Sequence, residues 1–192
     1  MKLLIIGAGG VGTSAAKIIQ LAGAEGDWAE KVVVADFNEE RAKVVANEIC
    51  GGGKFVPAFV NAMDPESIKA VVAEHDIDFA MNCCDPRMNP CIFDTCLECK
   101  IGYLDCAMTL GEPHPEKPYE LVHVKLGDYQ FAKQKEWEAS GKIAVCGSGV
   151  EPGMADVFAK YAQKHLFDKI DRVDVRDGDN YGNTDSDFGF SV

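Results

Sequence analysis

The residues best suited to chemistry stand near the start of the chain, where an apolar run meets a glycine-rich turn. In this turn Gly7 permits the sharp bend after a strand, Gly9 lets the backbone approach phosphate oxygens, and Gly12 lets a helix pack closely on the strand. The unpaired N–H groups near Gly10, Val11 and Gly12 then face an anion at the favourable end of the helix dipole. The turn therefore predicts a cradle for the pyrophosphate of a dinucleotide.

An acid at the end of the second predicted strand supports this interpretation. Residues 31–35 form a β-branched run, and Asp36 follows it, 24 residues after Gly12. A carboxylate at this place accepts hydrogen bonds from the ribose hydroxyls of the adenosine half and repels a 2′-phosphate. The sequence therefore favours NAD over NADP. Arg41 is the alternative signal, because a nearby arginine is able to accommodate that phosphate.

The overall charge excludes several classes of partner. The chain of 192 residues carries 31 acidic and 19 basic residues, a net charge of −12. Such a surface repels nucleic acid and anionic membranes. There is no apolar run of the roughly 18 residues that a membrane-spanning helix needs, and the N-terminus enters a strand at once. We expect a cytoplasmic protein.

Eight cysteines raise the alternative of a metal site. Cys91, Cys96 and Cys99 have the C-x4-C-x2-C spacing of plant-type [2Fe–2S] proteins, with Cys106 or Cys146 as a possible fourth ligand. Residues 89–99, however, have the pattern of a helix, and a regular helix cannot wrap three thiolates around one cluster. We therefore expect no metal, and eight reduced thiols.

The elements that must position these residues alternate regularly between strand and helix. After the first strand, further strands are predicted at 31–35, 55–60, 78–82, 103–105, 143–146 and 170–176, and helices at 10–22, 39–50, from 64 onward, 89–99, 128–140 and 154–165. Residues 108–124 contain three prolines and are predicted to be a loop or lid. This alternation is typical of an α/β fold with one doubly wound parallel sheet, the dinucleotide-binding Rossmann fold. Ligands of such sheets lie beyond the carboxyl ends of the strands, where Gly9, Asp36, Cys83 and Gly149 fall.

Four motifs resemble one family. They are Gly7-Ala8-Gly9-Gly10-Val11-Gly12, Asp78-Phe79-Ala80-Met81-Asn82-Cys83-Cys84, Gly102-Tyr103-Leu104-Asp105 and Gly149-Val150-Glu151-Pro152-Gly153-Met154. Together they resemble the saccharopine dehydrogenase family, especially its saccharopine reductases and carboxynorspermidine dehydrogenases. The likeness extends from Lys2 to about Arg176, and the Pro-Gly turn is its most distinctive part.

The resemblance also bears on the cofactor and on the extent of the chain. Many members of the family use NADPH and lack an acid at this place, whereas Ala35-Asp36-Phe37-Asn38 resembles the NAD-using lysine dehydrogenase branch. This adds Phe37 and Asn38 to the expected cofactor contacts. Family proteins are about twice as long. We therefore expect a truncated piece, with a dinucleotide-binding domain at 1–168 and the start of a substrate and dimerisation domain at 169–192. The intact protein is expected to be a homodimer.

The chemistry that the resemblance implies is hydride transfer between a nicotinamide and a C–N bond of an amino-acid or polyamine adduct. At the end of the fourth strand, Asn82, Cys83 and Cys84 are expected near the nicotinamide ribose; the alternative is a buried strand end with adaptable thiols.

The expected substrate contacts are Asp105, Gly149 and Glu151, and the alternative is a tight turn with a solvated carboxylate. No catalytic base is assigned. The alternative function is a non-catalytic module that binds or senses a dinucleotide.

Overall fold

A six-stranded parallel sheet forms the centre of the molecule. The computed structural model describes residues 1–176 and 178. The strands are β1 Lys2–Ile6, β2 Lys31–Asp36, β3 Phe55–Phe59, β4 Phe79–Asn82, β5 Gly102–Asp105 and β6 Ala144–Val145. Their order across the sheet is β3-β2-β1-β4-β5-β6, and every pair is parallel. This confirms the predicted doubly wound fold, with the reversal of strand order between β1 and β4.

Helices connect the strands at nearly the predicted places. They are α1 Gly10–Leu21, α2 Glu39–Lys43, α3 Pro65–His75, α4 Asn89–Glu98, α5 Asp128–Phe131, α6 Gln134–Ser140 and α7 Met154–His165. The predicted helix at 39–50 is present, but its second half, Val44–Ile49, is π-helical. Asp64 caps α3 by accepting a hydrogen bond from the Glu66 N–H at 3.0 Å.

Alternating residues of the central strands build two cores, one on each face of the sheet. Leu3 and Ile5 of β1 pack with Ala16 and Ile19 of α1, whereas Leu4 and Ile6 point to the opposite face, toward α3 and α4. All four β1 side chains are at most 2% exposed. A parallel sheet that is covered on both faces in this way explains the continuous apolar runs of β1 and β2.

Two predictions about elements are wrong. The helix expected over 128–140 is two helices, because the Lys133 N–H bonds to the carbonyl of Gln130 and interrupts the regular ladder. Beyond the interruption, Trp137 of α6 packs in the core against Phe93, with ring centroids 5.0 Å apart. The strand expected over 170–176 is irregular, because no other described strand pairs with it.

The chain divides into two compact units. The first is Met1–Met154, and the second begins at Ala155. The helix α7 falls almost entirely in the second unit, although the sequence analysis assigns it to the first domain; the boundary at residue 168 stays a prediction. Among residues 1–176 and 178, no helix combines the length and the apolar character needed to cross a membrane.

Candidate active site

The glycine turn between β1 and α1 is held closely against the sheet. Gly7 has φ = +100°, a conformation that L side chains rarely adopt, and its N–H donates to the carbonyl of Ala35 at 2.8 Å. A Cβ added at Gly12 would lie 1.8 Å from the carbonyl oxygen of Gly7. Only glycine at position 12 therefore permits this contact between helix and strand.

The next two glycines of the turn face open space. A Cβ on Gly9 or Gly10 would meet no atom of the described residues within 4 Å. In the described part of the chain no side chain caps the start of α1, where Gly9 is the N-cap residue and Val11 is 53% exposed. The first N–H groups of a helix lack intrahelical partners, and no side chain of the described residues caps them here, so they remain available to an anion. The fold alone does not require glycine at positions 9 and 10, but close approach of a phosphate does.

Asp36 joins the end of β2 to the glycine turn. Its Oδ2 accepts the Ala8 N–H at 2.7 Å, and its Oδ1 accepts the Asn38 N–H at 2.8 Å. The Arg41 guanidinium lies 3.9 Å from Oδ2, and the Asp36 side chain is 12% exposed. Each carboxylate oxygen has further lone pairs, so the group remains able to accept from a ribose hydroxyl.

A groove of about 280 Å³ runs along the carboxyl ends of the strands from β3 to β4. Six of the predicted site residues line it: Gly7, Gly9, Asp36, Phe37, Cys83 and Cys84. Beside it, the Phe37 and Phe59 rings approach to 5.6 Å between centroids and are 70% and 47% exposed. The groove lies beside the point where the strand order reverses, the usual ligand crevice of a doubly wound sheet.

Asn82 points into the protein and does not line this groove. Its side-chain amide donates to Asn89 Oδ1 at 2.8 Å and to the Tyr103 hydroxyl at 3.1 Å, and its Oδ1 accepts the Cys84 N–H at 3.0 Å. The residue is 1% exposed. In this arrangement Asn82 fixes the backbone of the β4 turn, whereas Cys83 and Cys84 form its accessible surface.

Asp105 is the centre of a buried polar network at the end of β5. Its Oδ2 accepts the Tyr103 hydroxyl at 2.8 Å and the Gln130 amide at 2.5 Å, and its Oδ1 accepts the Gly147 N–H at 2.6 Å. Burial raises the pKa of Tyr103, and the neighbouring Asp105 adds to the effect. Asp105 is 1% exposed. Its carboxylate fixes the start of the 147–149 turn by accepting the Gly147 N–H.

The second glycine-rich turn lies next to β5. A Cβ on Gly149 would be 2.2 Å from the Cys106 carbonyl oxygen, and the Gly149 N–H donates to the carbonyl of Pro152 at 3.0 Å. Glu151 is exposed, and its peptide bond to Pro152 is cis. Neither Gly149 nor Glu151 lines the groove described above, which runs from β3 to β4.

The thiols of the site differ in their ionisation. Hydrogen bonding between Cys83 and Cys106 raises the pKa of Cys83 and lowers the pKa of Cys106 to about 7. Burial raises the pKa of Cys84 to about 11, and the Cys84 thiol donates to the Ile6 carbonyl at 3.4 Å. Of the three, Cys106 has the pKa nearest to neutral.

The comparison with known families agrees with this geometry. The saccharopine dehydrogenase NADP binding domain family matches residues 3–145. The chain belongs to this family.

Relatives of this saccharopine dehydrogenase-type domain include the following two proteins. The carboxynorspermidine synthase of Vibrio alginolyticus is 30% identical over 184 residues, which are 92% of this chain and 43% of that protein. The carboxyaminopropylagmatine dehydrogenase of Synechocystis sp. is 30% identical over 176 residues, 92% of this chain and 41% of that protein. The chain thus spans less than half the length of the curated relatives it matches.

Solved structures show the same fold. The apo saccharopine dehydrogenase (L-Glu forming) of Saccharomyces cerevisiae superposes with a TM-score of 0.62 at 17% identity, over 86% of this chain and 31% of that one. An NAD-binding oxidoreductase of Klebsiella pneumoniae gives 0.56 at 11% identity, over 85% and 38%. At such identities the likeness concerns the fold alone.

Some groove residues of this saccharopine dehydrogenase-type domain escaped the sequence analysis. They are Val60, Asn61, Ala62, Asp85 and Met88. Each lies one to six residues beyond the end of β3 or β4. The available signal was their position after these strands, but no charge or glycine pattern distinguishes them from ordinary turn residues.

Proposed function

We propose that this domain binds a nicotinamide dinucleotide and belongs to an oxidoreductase that transfers hydride to or from a C–N bond. The observation that carries the proposal is the open glycine turn, with uncapped N–H groups at the start of α1 and the Asp36 carboxylate beside it. Gly9 and Gly10 leave the space that a pyrophosphate requires, while Gly7 and Gly12 serve the fold. The residues present therefore fit the cofactor.

We propose specific roles for the residues around the groove. The N–H groups near Gly10, Val11 and Gly12 bind the pyrophosphate, and Asp36 accepts the adenosine ribose hydroxyls. Phe37 and Asn38 flank the adenosine end, and Cys83 and Cys84 form the wall toward the nicotinamide ribose. Asn82 acts through the β4 turn as a positioning residue.

We propose that NAD is preferred over NADP. A 2′-phosphate on the ribose would have to lie beside the Asp36 carboxylate, and the two negative charges repel each other. Arg41 is the residue able to offset this repulsion, since its guanidinium lies 3.9 Å from Asp36 and is half exposed. The family description names NADP, so the relative affinity for NADH and NADPH has to be measured on this chain.

The proposed substrates follow from the named relatives and from the family. Carboxynorspermidine, carboxyaminopropylagmatine and saccharopine are each amino-acid or polyamine adducts with a secondary amine. When bound, the nicotinamide supplies or accepts the hydride at this C–N bond. We propose that Gly149 and Glu151 face the substrate. The buried Asp105 would support their turn through its bond from Gly147. We propose a homodimer for the intact protein.

Titration calorimetry with NADH and NADPH tests the cofactor. We expect NADH to bind more tightly than NADPH, and Gly9→Val to abolish binding of both without lowering the thermal unfolding temperature. Failure of both dinucleotides to bind at millimolar concentration would contradict the proposal. Oxidation of the three adducts by the natural full-length protein tests the reaction. Cofactor binding without any turnover would favour the non-catalytic module instead.

A further inference from the structure

Two cysteines stand side by side at the carboxyl edge of the sheet. The register of β4 and β5 pairs Asn82 with Asp105 as the last matched residues, and Cys83 and Cys106 are the next residues on the two strands. The Cys83 N–H donates to the Ile6 carbonyl at 2.9 Å, so β4 stays paired with β1 as far as this position. Neighbouring strands lie about 4.8 Å apart, within the 4.4–6.8 Å between Cα atoms that a disulfide spans.

The two thiols also interact and are accessible to reagents. Each residue is half-buried, and Cys83 lines the groove. The two thiols interact electrostatically, and the interaction with Cys83 lowers the pKa of Cys106 to about 7. A thiol with a pKa near the ambient pH is the best attacking group in disulfide exchange. Asp105 opposes ionisation of Cys106, but the interaction with Cys83 outweighs it.

We propose that Cys83 and Cys106 form an oxidisable dithiol that closes to a disulfide by exchange with a small disulfide such as oxidised glutathione. The Cys106 thiolate attacks one sulfur of oxidised glutathione, forms a mixed disulfide and releases glutathione thiolate. Cys83 then loses its proton and attacks the Cys106 sulfur, which expels the second glutathione. Two thiols are oxidised, the small disulfide is reduced, and the two protons pass to the released glutathione.

The position of the pair gives this oxidation a consequence for the groove. The Cys83 carbonyl would lie 3.0 Å from a Cβ at Gly7, so the backbone of Cys83 adjoins the glycine turn. A cross-link to Cys106 fixes this wall to the end of β5. We expect bound NADH to slow the oxidation because it covers Cys83; this expectation rests on the proposed function, whereas the disulfide does not.

Incubation with oxidised glutathione, followed by alkylation and peptide mass mapping, tests the proposal. The expected product is a disulfide between Cys83 and Cys106, with the loss of two free thiols. Cys83→Ser should stop at a glutathione adduct on Cys106, and Cys106→Ser should leave Cys83 reduced. Cys146→Ser is the matched control, because Cys146 is half-buried with a pKa raised by burial to about 12, and it should behave as the wild type.

Two results would overturn the proposal: a wild-type disulfide that joins other cysteines, or a Cys106→Ser protein that is oxidised as fast as the wild type. Cys106→Ala repeats the test should the serine variant fail to fold. The rate of oxidation with saturating NADH distinguishes the disulfide proposal from the proposal that the groove binds the cofactor. If saturating NADH does not slow the oxidation, the disulfide proposal still stands, but binding of NADH over Cys83 is contradicted.

Discussion

The Asp36 carboxylate accepts the backbone N–H of Ala8 at 2.7 Å across the gap between β2 and the glycine turn. One side chain thereby fixes the glycine turn and keeps lone pairs for the ribose hydroxyls that we propose it binds. The acid of this fold is usually considered only for its contact with the ribose. Here its position also depends on, and supports, the conformation of the turn.

Asp36→Ala should weaken NADH binding by about 10- to 100-fold, because hydrogen bonds to a charged group contribute about 1.5–3 kcal/mol each. NADPH binding should fall less, since the charge repulsion disappears with the carboxylate. Calorimetric titration with both cofactors measures the change. Asp64→Ala is the matched control: this acid also follows a strand but caps α3, so it should lower stability by about 1 kcal/mol and leave NADH affinity unchanged.

Gly12→Ala should destabilise the fold, because its Cβ would lie 1.8 Å from the Gly7 carbonyl oxygen and the helix would have to move. Overpacking of this kind costs about 1–3 kcal/mol or more. Gly9→Ala should leave the stability nearly unchanged, because its Cβ meets no described atom within 4 Å. Urea unfolding followed by circular dichroism compares the two. Equal unfolding midpoints for both variants would contradict the assigned difference between the glycines.

Much of the fold was predictable because its signals are local. The β-branched run of β2, the acid cap of α3 and the glycine turn before α1 each specify their own element, and their alternation specifies a parallel sheet. The interruption at Lys133 was not predictable, because it serves the distant packing of Trp137 on Phe93. The irregular course of 170–176 was missed for a related reason, since a strand pattern becomes a strand only with a partner.

The candidate site was also predictable only in part. Gly9, Asp36 and Cys83 were predicted to lie at the carboxyl edge, and all three line the groove. The inward direction of Asn82 and Asp105 was not predictable, because it depends on Tyr103, Gln130 and Asn89, which approach from other elements. A polar residue at a strand end has the same sequence signal whether it faces solvent or a buried network.

Asp105→Ala should be among the most damaging substitutions in the chain. It would leave the Tyr103 hydroxyl, the Gln130 amide and the Gly147 N–H without their shared acceptor. Each buried donor left unpaired costs about 1–3 kcal/mol. Tyr103→Phe removes one donor to Asp105 and one acceptor of the Asn82 amide, and it should cost less, about 1–2 kcal/mol. Denaturant unfolding of both variants measures the free energies, and a smaller loss for Asp105→Ala than for Tyr103→Phe would refute the role of the carboxylate as the centre of the network.

Trp137→Phe should cost only about 1–2 kcal/mol, because the smaller ring still fills most of the site. Trp137 is 4% exposed, and its indole N–H has no hydrogen-bond partner among the described residues, so the substitution removes a polar group that is already unpaired. Trp137→Ala should instead cost about 3–5 kcal/mol, because it removes the packing against Phe93 and Tyr103. Thermal unfolding of the pair measures the contrast, and equal losses for the two variants would contradict the role of the ring packing.

Alkylation of Cys106 should rise with pH through a midpoint near 7. The interaction with the Cys83 thiol stabilises the Cys106 thiolate, so the pKa of Cys106 falls from the ordinary 9.0 to about 7 and the reactive form is populated above that pH. Cys83→Ala removes this thiol, while burial and the charge of Asp105 remain and both oppose ionisation. The midpoint for this variant should therefore move to pH 9 or above. Iodoacetamide labelling across the pH range, quantified on the Cys106 peptide, measures both profiles; coincident midpoints would show that Cys83 does not stabilise the thiolate.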